Sequence, residues 1–321
     1  SVAILIVGAL QIMDGNMSVG ALFAISGLAA AAAGPLQSIV NAFASLQLIR
    51  GSVESLRDVL DANVDPRFEQ PRGELTSTPN DLRFESVSFK HSPKDAPVVH
   101  EISFDLPAGK QVAIVGPSGA GKSTIADLAA GLISPTAGAI TYGRHPMRDY
   151  AFGTLEGSLA KVDQRIYLFS GTIRDNLTLW SGDIDDAYLE ECLRIAQMRD
   201  EVMSNPEGLS AEVQEGGANF SGGERQRLEL ARALASGPSI LILDEATSAL
   251  DVDTEAKVVE NLATTGISLL VVAHRVTTVR HADHILVLDE AGNLIEQGTY
   301  DQLMNNQGAF TKLTTSDVGT A

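Results

Sequence analysis

The chain has 321 residues, of which 44% are hydrophobic and 20% are charged, and its formal net charge is −18. This length predicts about two structural units, and the composition predicts a folded protein rather than a disordered one. The acidic balance argues against a surface that neutralises nucleic-acid phosphates, so we expect no nucleic-acid partner. Cys192 is the only cysteine, which excludes an intrachain disulfide and argues against a cysteine-based metal site.

The N-terminal segment is almost free of charge, since Asp14 is the only ionisable side chain in residues 1–49. Apolar runs from Val2 to Met13 and from Met17 to Ile49 flank a turn signal at Asp14. Twelve helical residues cover about 18 Å of the roughly 30 Å hydrocarbon core, whereas the second run is long enough to cross it. We interpret residues 1–60 as the end of one transmembrane helix, a complete second helix and its cytoplasmic extension.

Two other interpretations of this segment compete with this one. A signal peptide would need a basic leader and a single short apolar core, and the sequence has neither. A buried globular hairpin remains open. The positive-inside rule places the downstream residues in the cytoplasm. We expect a multi-pass protein of the bacterial inner membrane. The arginines on which this orientation depends are Arg50, Arg57, Arg67 and Arg72.

A linker is predicted at residues 61–80, and a nucleotide-binding motif follows it. The linker contains Pro66, Pro71, Pro79 and Gly73. Between Gln111 and Ala130, an apolar strand, a glycine-rich loop and a helix follow one another, which is the context of a phosphate-binding P-loop. Lys122 can reach the β- and γ-phosphates and the Ser123 hydroxyl can bind Mg²⁺. The predicted ATP-binding residues of this loop are Gly116, Pro117, Ser118, Gly119, Ala120, Gly121, Lys122, Ser123 and Thr124.

Polar side chains follow two further apolar strands. Asp244 and Glu245 come directly after the strand Ser239–Leu243, and His274 follows Ile267–Ala273. Ligands of open α/β sheets gather at the carboxyl ends of strands. We expect Asp244 to hold Mg²⁺, Glu245 to act as the general base and His274 to contact the γ-phosphate. The alternatives are helix-capping acids and a structural histidine.

A second glycine-rich turn, Ser221-Gly222-Gly223-Glu224, precedes a predicted helix. Helix N-termini bind anions, so two such turns suggest one contact for each side of a nucleotide. If both turns bind the same ATP, the site needs two copies of the chain.

The motifs together resemble the nucleotide-binding domain of ATP-binding-cassette (ABC) transporters, from about Asp81 to Leu313. The resemblance implies an α/β P-loop ATPase domain at residues 81–315, with a mixed sheet core and a helical subdomain at about 155–235. A tail at 316–321 would follow it and the partial all-α transmembrane segment would precede it. The chain then resembles the C-terminal part of a half-transporter.

Further residue roles come from this resemblance. Phe220–Leu228 looks like the family signature, Ser248–Asp251 like the D-loop, and Gln164 like the Q-loop glutamine that contacts Mg²⁺ and senses the membrane domain. The family mechanism implies two chains in a head-to-tail dimer, each ATP lying between one P-loop and the other chain's signature. The residues implied at this contact are Ser221, Gly222, Gly223, Glu224 and Asp251. Glu245, His274, Lys122 and Gln164 are the implied catalytic residues.

Two positions depart from the exporter pattern. His91 stands where exporters usually have a tyrosine that stacks on adenine, so we expect the imidazole to take that position with weaker affinity. The segment Ala211–Gly217 has a glycine where an arginine or lysine is frequent.

Fusion of the membrane run to the ATPase favours an exporter over an importer. The sequence segments Gly171–Asn176 and Glu296–Gly298 also resemble those of the exporter branch. We therefore expect ATP hydrolysis coupled to export, with ATP and Mg²⁺ as cofactors. The expected partners are the membrane, a second copy or a paralogous half-transporter, and a substrate.

The substrate stays open at this point. Asn219–Glu224 and Leu177–Trp180 resemble exporters of peptides and bacteriocins, with a lipid or small-molecule exporter as the alternative. A soluble mechanical ABC ATPase is the rival from another class, and a regulatory subunit with little turnover is a further one.

Overall fold

The computed structural model describes residues 2–61, 73–92, 94–151, 153–182, 184–273 and 276–317. The chain divides into two compact units, Ser1–Glu69 and Gln70–Ala321. The first unit is helical, and the second has an α/β fold.

The first unit consists of α1 (Val2–Met13) and α2 (Val19–Leu60). Helix α2 begins at the N-cap Ser18, whose side-chain oxygen accepts a hydrogen bond from the Ala21 N–H at 3.2 Å. Its 42 residues span about 63 Å at 1.5 Å per residue. Its most apolar stretch has a mean hydropathy of 1.8 and no buried residue, so by length and composition α2 can cross a membrane.

The second unit alternates strands and helices in the described part of the chain. Its strands are β1 (Leu82–Phe89), β2 (Val99–Leu106), β3 (Gln111–Val115), β4 (Ala137–Tyr142), β5 (His145–Pro146), β6 (Leu159–Val162), β7 (Gly171–Thr172), β8 (Glu212–Val213), β9 (Ile240–Asp244), β10 (Ser268–Val272), β11 (His284–Leu288) and β12 (Leu294–Gly298). Its helices are α3 (Lys122–Ala129), α4 (Thr154–Ser158), α5 (Ile173–Thr178), α6 (Asp186–Ile195), α7 (Arg199–Ser204), α8 (Gly222–Ala235), α9 (Val252–Ala263), α10 (Val276–Val279), α11 (Tyr300–Asn306) and α12 (Ala309–Asp317).

A six-stranded sheet in the order β12-β11-β3-β10-β9-β6 forms the centre of this unit. Its strands run parallel except β12, which is antiparallel to β11. Every residue of β3, β9 and β10 is buried. These strands are apolar over most of their length because helices or a second sheet cover both faces. The carboxyl ends of β3, β9 and β10 therefore meet at one edge.

A second, antiparallel sheet has the order β2-β1-β4-β5. Its buried face, with Phe84 and Ile102, packs in one apolar cluster with Ile125 of α3 and with Ile240 and Leu270 of the central sheet. Helix α3 therefore lies between two sheets, which holds the loop before it in place.

The segment between β6 and β9 is mainly helical. Leu177 of α5, Leu189 of α6 and Leu228 of α8 belong to one buried cluster that also contains Leu241 of β9. The helical subdomain was predicted at about 155–235, but residues 159–162 form β6 and pair with β9 in the central sheet. The helical segment therefore begins after β6.

The backbone of Gly292, in the β11–β12 turn, lies against the carbonyl of Val98. A Cβ added to Gly292, whose φ is +80°, would lie 2.0 Å from the Val98 oxygen. The Gly292 oxygen also accepts a hydrogen bond from the His100 N–H at 3.2 Å. This contact joins the central sheet to the antiparallel sheet and leaves no room for a side chain.

Replacing Gly292 by alanine is expected to lower the free energy of unfolding by at least about 2 kcal/mol, since the left-handed backbone alone costs about 1–2 kcal/mol. In a domain of this size that corresponds to at least about 4 °C in Tm, measured by circular dichroism. Gly266→Ala is the matched control, because Gly266 has a φ of +75° and a Cβ there would meet nothing within 4 Å. Equal losses in both variants would show that the contact with Val98 does not matter.

Candidate active site

The glycine-rich loop connects β3 to α3 and ends at Gly121, the N-cap of α3. Gly121 has a φ of +80°, and a Cβ there would lie 2.7 Å from the Val98 oxygen. Only glycine allows the backbone to pass so close, and the N–H groups of the first turn of α3 are left to bind an anion.

Lys122, the first residue of α3, is buried under its own loop. Its Nζ donates hydrogen bonds to the carbonyls of Gly116 and Pro117 at 2.8 and 2.9 Å. Burial lowers the pKa of Lys122, and the nearby carboxylates of Glu245 and Asp244 oppose that shift. Phosphate oxygens offer an ammonium stronger hydrogen-bond acceptors than these carbonyls.

Asp244 ends β9 and faces the start of α3. Its Oδ1 accepts a hydrogen bond from the Ser123 hydroxyl at 3.1 Å. Burial raises the pKa of Asp244, while the hydrogen bond from Ser123 and the charge of Lys161 lower it. A serine hydroxyl and a carboxylate are the oxygen ligands that Mg²⁺ uses beside a nucleotide, so this pair fits a magnesium ion.

Glu245 directly follows Asp244 and lies in a strained part of the backbone. Its φ is +53°, in the left-handed region that non-glycine residues rarely adopt. Its Oε2 accepts a hydrogen bond from Nε2 of Gln164 at 2.7 Å. The strain is of the kind found where a fold must place a functional side chain.

Lys122, Gln164 and Glu245 line one cavity of about 460 Å³. Its lining residues are Val98, Ser118, Gly119, Gly121, Lys122, Ser123, Thr124, Gln164 and Glu245. A larger cavity of about 730 Å³ lies elsewhere, and its lining includes Arg83, Asp105, Lys110 and Asp283. Arg83 pairs with Asp105 and Lys110 with Asp283, so the arginine and the lysine of the larger cavity already have acidic partners. The smaller cavity is the candidate active site because the phosphate loop and Glu245 meet there.

The structure also brings Lys161, which sequence reasoning missed, to this site. Its Nζ lies 2.6 Å from Asp127 Oδ1, 3.8 Å from Asp244 Oδ2, and in contact with Asp163 Oδ1. Burial by itself lowers the pKa of Lys161, but hydrogen bonds to Asp127 and Asp163 raise it above its ordinary value. A lysine in the otherwise apolar strand β6, three residues before Gln164, is the signal that could have identified it.

The signature residues begin α8, with Ser221 as the N-cap. The Ser221 N–H donates to Glu224 Oε2 at 2.6 Å, and the Glu224 N–H donates to Ser221 Oγ at 3.3 Å. This capping box lowers the pKa of Glu224 through the hydrogen bond from the Ser221 backbone. The carboxylate of Glu224 therefore caps the N-terminus of its own helix. Gly222 and Gly223 supply the backbone N–H groups between these two capping residues.

The D-loop is joined to the signature helix through Gln226. Gln226 Oε1 accepts from the Ala249 N–H at 2.9 Å, and its Nε2 donates to Ser248 Oγ at 3.2 Å. Asp251 caps α9 by accepting from the Thr254 N–H at 2.9 Å. Residues 221–226 and 248–251 thus form one surface, which we call the signature–D-loop patch. None of the residues that line the described 460 Å³ cavity belongs to this patch.

The other predicted residues are placed as follows. Ala120 is buried within the phosphate loop. His91 is exposed after β1, with its ring 5.1 Å from the Phe89 ring and perpendicular to it, and it does not line the cavity. His274 lies outside the described residues.

Comparisons with known proteins indicate the class to which this chain belongs. The sequence profile of the ABC transporter family matches residues 99–248. The ATP-dependent lipid A-core flippase of Photobacterium profundum is 36% identical over 283 residues, which are 87% of this chain and 48% of that protein. The Beta-(1-->2)glucan export ATP-binding/permease protein NdvA of Brucella suis biovar 1 (strain 1330) is 34% identical over 97% of this chain and 52% of that protein.

A solved structure of a bacterial Atm1-family ABC exporter with ATP bound matches with a TM-score of 0.72 and 30% identity. The match covers 93% of this chain and 53% of that one. The chain therefore carries a P-loop ATPase domain of the ABC type and belongs to the ABC transporter family. Within that family it is similar to exporters, and it spans about half the length of the relatives it matches.

Proposed function

We propose that this chain supplies the ATP-hydrolysing part of an ABC exporter, in which closure of a head-to-tail dimer drives transport. The observation that carries this proposal is the separation of the phosphate-loop cavity from the signature–D-loop patch. Each surface offers backbone N–H groups at a helix N-terminus, yet no residue of the patch lines the described cavity of the same chain. A second copy, or a paralogous half-transporter, would bring its own patch to this cavity.

The residues of the cavity have distinct roles in this proposal. The loop amides and Lys122 bind the phosphates, and Ser123, Asp244 and Gln164 hold Mg²⁺. The bound metal supplies positive charge that offsets the phosphate charge as the bond to the leaving group breaks. Glu245 takes a proton from the attacking water. His274 is assigned to the γ-phosphate from the family resemblance.

Gln164 connects the chemistry to the rest of the domain. It lies after β6, where the helical segment begins, and its amide donates to Glu245 Oε2. A rotation of the helical segment would therefore move Gln164 relative to the general base. This is how ATP binding would be coupled to a transmembrane segment, since a domain rotation about a hinge changes one polar contact.

The membrane location rests on α2 and on the exporters that the chain resembles. Helix α2 is long and apolar enough to span a bilayer. We propose a multi-pass protein of a bacterial inner membrane with the ATPase domain in the cytoplasm. An apolar helix of this length disfavours the rival of a soluble mechanical ATPase.

The proposed substrate is an amphiphilic lipid or a glycan. The relatives named above are a lipid A-core flippase and a glucan export protein. The expectation of a peptide or bacteriocin substrate has no support among them, so the lipid or small-molecule alternative is favoured.

Replacing Glu245 by glutamine is expected to leave ATP affinity within about twofold and to lower the hydrolysis rate by at least about a hundredfold, because the base is lost while the phosphate contacts remain. The variant should accumulate as an ATP-bound dimer, measured by size-exclusion chromatography with light scattering in detergent. Lys122→Met is the control that should lose ATP binding and the dimer together. Unchanged hydrolysis in Glu245→Gln would remove Glu245 as the base.

Replacing His91 by alanine is expected to weaken ATP affinity by about threefold to tenfold, because an aromatic stack on a base is worth about 1–3 kcal/mol and imidazole is a small ring. His91→Tyr should restore or exceed the affinity of the unchanged chain. Fluorescence titration with labelled ATP and with labelled GTP measures the nucleotide affinity of both variants. Equal affinity in all three proteins would place adenine elsewhere.

In the whole transporter, reconstituted in vesicles, lipid-linked glycans are expected to stimulate ATP hydrolysis by about twofold or more, because a bound substrate shifts the population of the closed state. Leader peptides of bacteriocins should not. Stimulation by the peptides alone would show that the substrate is a peptide, as the sequence first suggested.

A further inference from the structure

Lys161 is a buried lysine whose ammonium lies among carboxylates of three different elements. Its side chain is only 9% exposed, and that of Asp244 is 7% exposed. Asp127 comes from α3, Asp163 follows β6, and Asp244 ends β9. A contact of this kind links the phosphate-loop helix, the start of the Gln164 segment and the predicted magnesium ligand.

The Asp244 carboxylate at this position needs a cation, because it is buried while the side chains of Asp127 and Asp163 are 35% and 55% exposed. A buried carboxylate is costly unless a positive charge or several hydrogen bonds compensate it. Lys122 donates its hydrogen bonds to the carbonyls of its own loop. In the part of the chain that the structure describes, the ion pair to Asp244 is made by Lys161.

The geometry also divides the two oxygens of Asp244 between two partners. Oδ1 accepts from the Ser123 hydroxyl at 3.1 Å, while Oδ2 lies 3.8 Å from Lys161 Nζ. Oδ1 can therefore bind a metal ion together with the Ser123 hydroxyl, while Lys161 keeps the Asp244 carboxylate in place. Asp163, also in contact with Lys161, directly precedes Gln164, whose amide reaches Glu245.

We propose that Lys161 is the built-in counterion of the metal-free site: its ammonium holds Asp244 and the Gln164 segment in place when no Mg²⁺ is bound. Lys161 is thus a positioning residue, since it acts through Asp244 and Asp163. The effect of Lys161 on the ATPase cycle rests on the magnesium site that was proposed above. The central claim of the proposal, however, concerns the protein without nucleotide.

The test compares thermal unfolding of the nucleotide-free full chain in detergent, in MgCl₂ and in EDTA at equal ionic strength. The unchanged chain should have nearly the same Tm in both. Lys161→Met keeps the side-chain volume but removes the charge, so the carboxylates should repel one another unless a divalent ion binds among them. We expect its Tm to be lower in EDTA and to rise by about 4 °C or more in MgCl₂.

Two controls separate this role from ordinary stabilisation by an ion pair. Lys161→Arg keeps the cation and should not depend on MgCl₂. Lys110→Met removes the ion pair between Lys110 and Asp283, 2.9 Å apart at the amino end of β3, and should change Tm equally in both solutions. An equal loss in MgCl₂ and EDTA for Lys161→Met, or no loss, would overturn the proposal.

If Lys161→Met does not fold in either solution, Lys161→Met/Asp127→Asn provides the second measurement. Removing the Asp127 carboxylate, which lies 2.6 Å from the Lys161 ammonium in the unchanged chain, should restore folding and reduce the dependence on MgCl₂. A double variant that is no more stable than the single one would also overturn the proposal.

A separate measurement distinguishes failure of the magnesium site from failure of this proposal. Asp244→Asn should reduce the gain in ATP affinity that MgCl₂ gives over EDTA. If it does not, the magnesium assignment of Asp244 fails, while the result for Lys161→Met without nucleotide still decides the counterion role.

Discussion

The structure of this site depends on keeping a buried carboxylate at the end of an apolar sheet. Asp244 ends β9, every residue of which is buried, and its pKa is raised chiefly by that burial. The Ser123 hydroxyl and the Lys161 ammonium approach its two oxygens. These partners belong to α3 and β6. The charge of Asp244 therefore helps to hold the phosphate loop and the Gln164 segment against the central sheet.

A second constraint is steric and acts on the other side of the loop. The carbonyl of Val98, just before β2, lies against the backbones of both Gly121 and Gly292. The first of these belongs to the phosphate loop and the second to the β11–β12 turn. The antiparallel sheet therefore supports the phosphate loop through one peptide group, and the close packing leaves no room for a Cβ at either glycine.

The site is divided between two surfaces of the same chain. Hydrogen bonds through Gln226 join the signature turn to the D-loop, so these two segments would move as one body. The phosphate loop and the acids are joined separately through Ser123 and Gln164. The proposed export function requires that nucleotide binding bring this cavity to the patch of another domain.

The sequence by itself determined the class of the protein and most of the central sheet. Fully buried strands read as unbroken apolar runs, and the P-loop, the paired acids and the signature have fixed spacings, so β3, β9, β10 and the starts of α3 and α8 were predictable. Only the tertiary structure placed β6 in that sheet, separated the cavity from the signature–D-loop patch, and brought Lys161 to Asp244. The reason is that Lys161 and Asp244 are 83 residues apart in the chain, and a local pattern carries no information about which charges a fold will bury together. An ion pair between strands β6 and β9 exists only once their register is set.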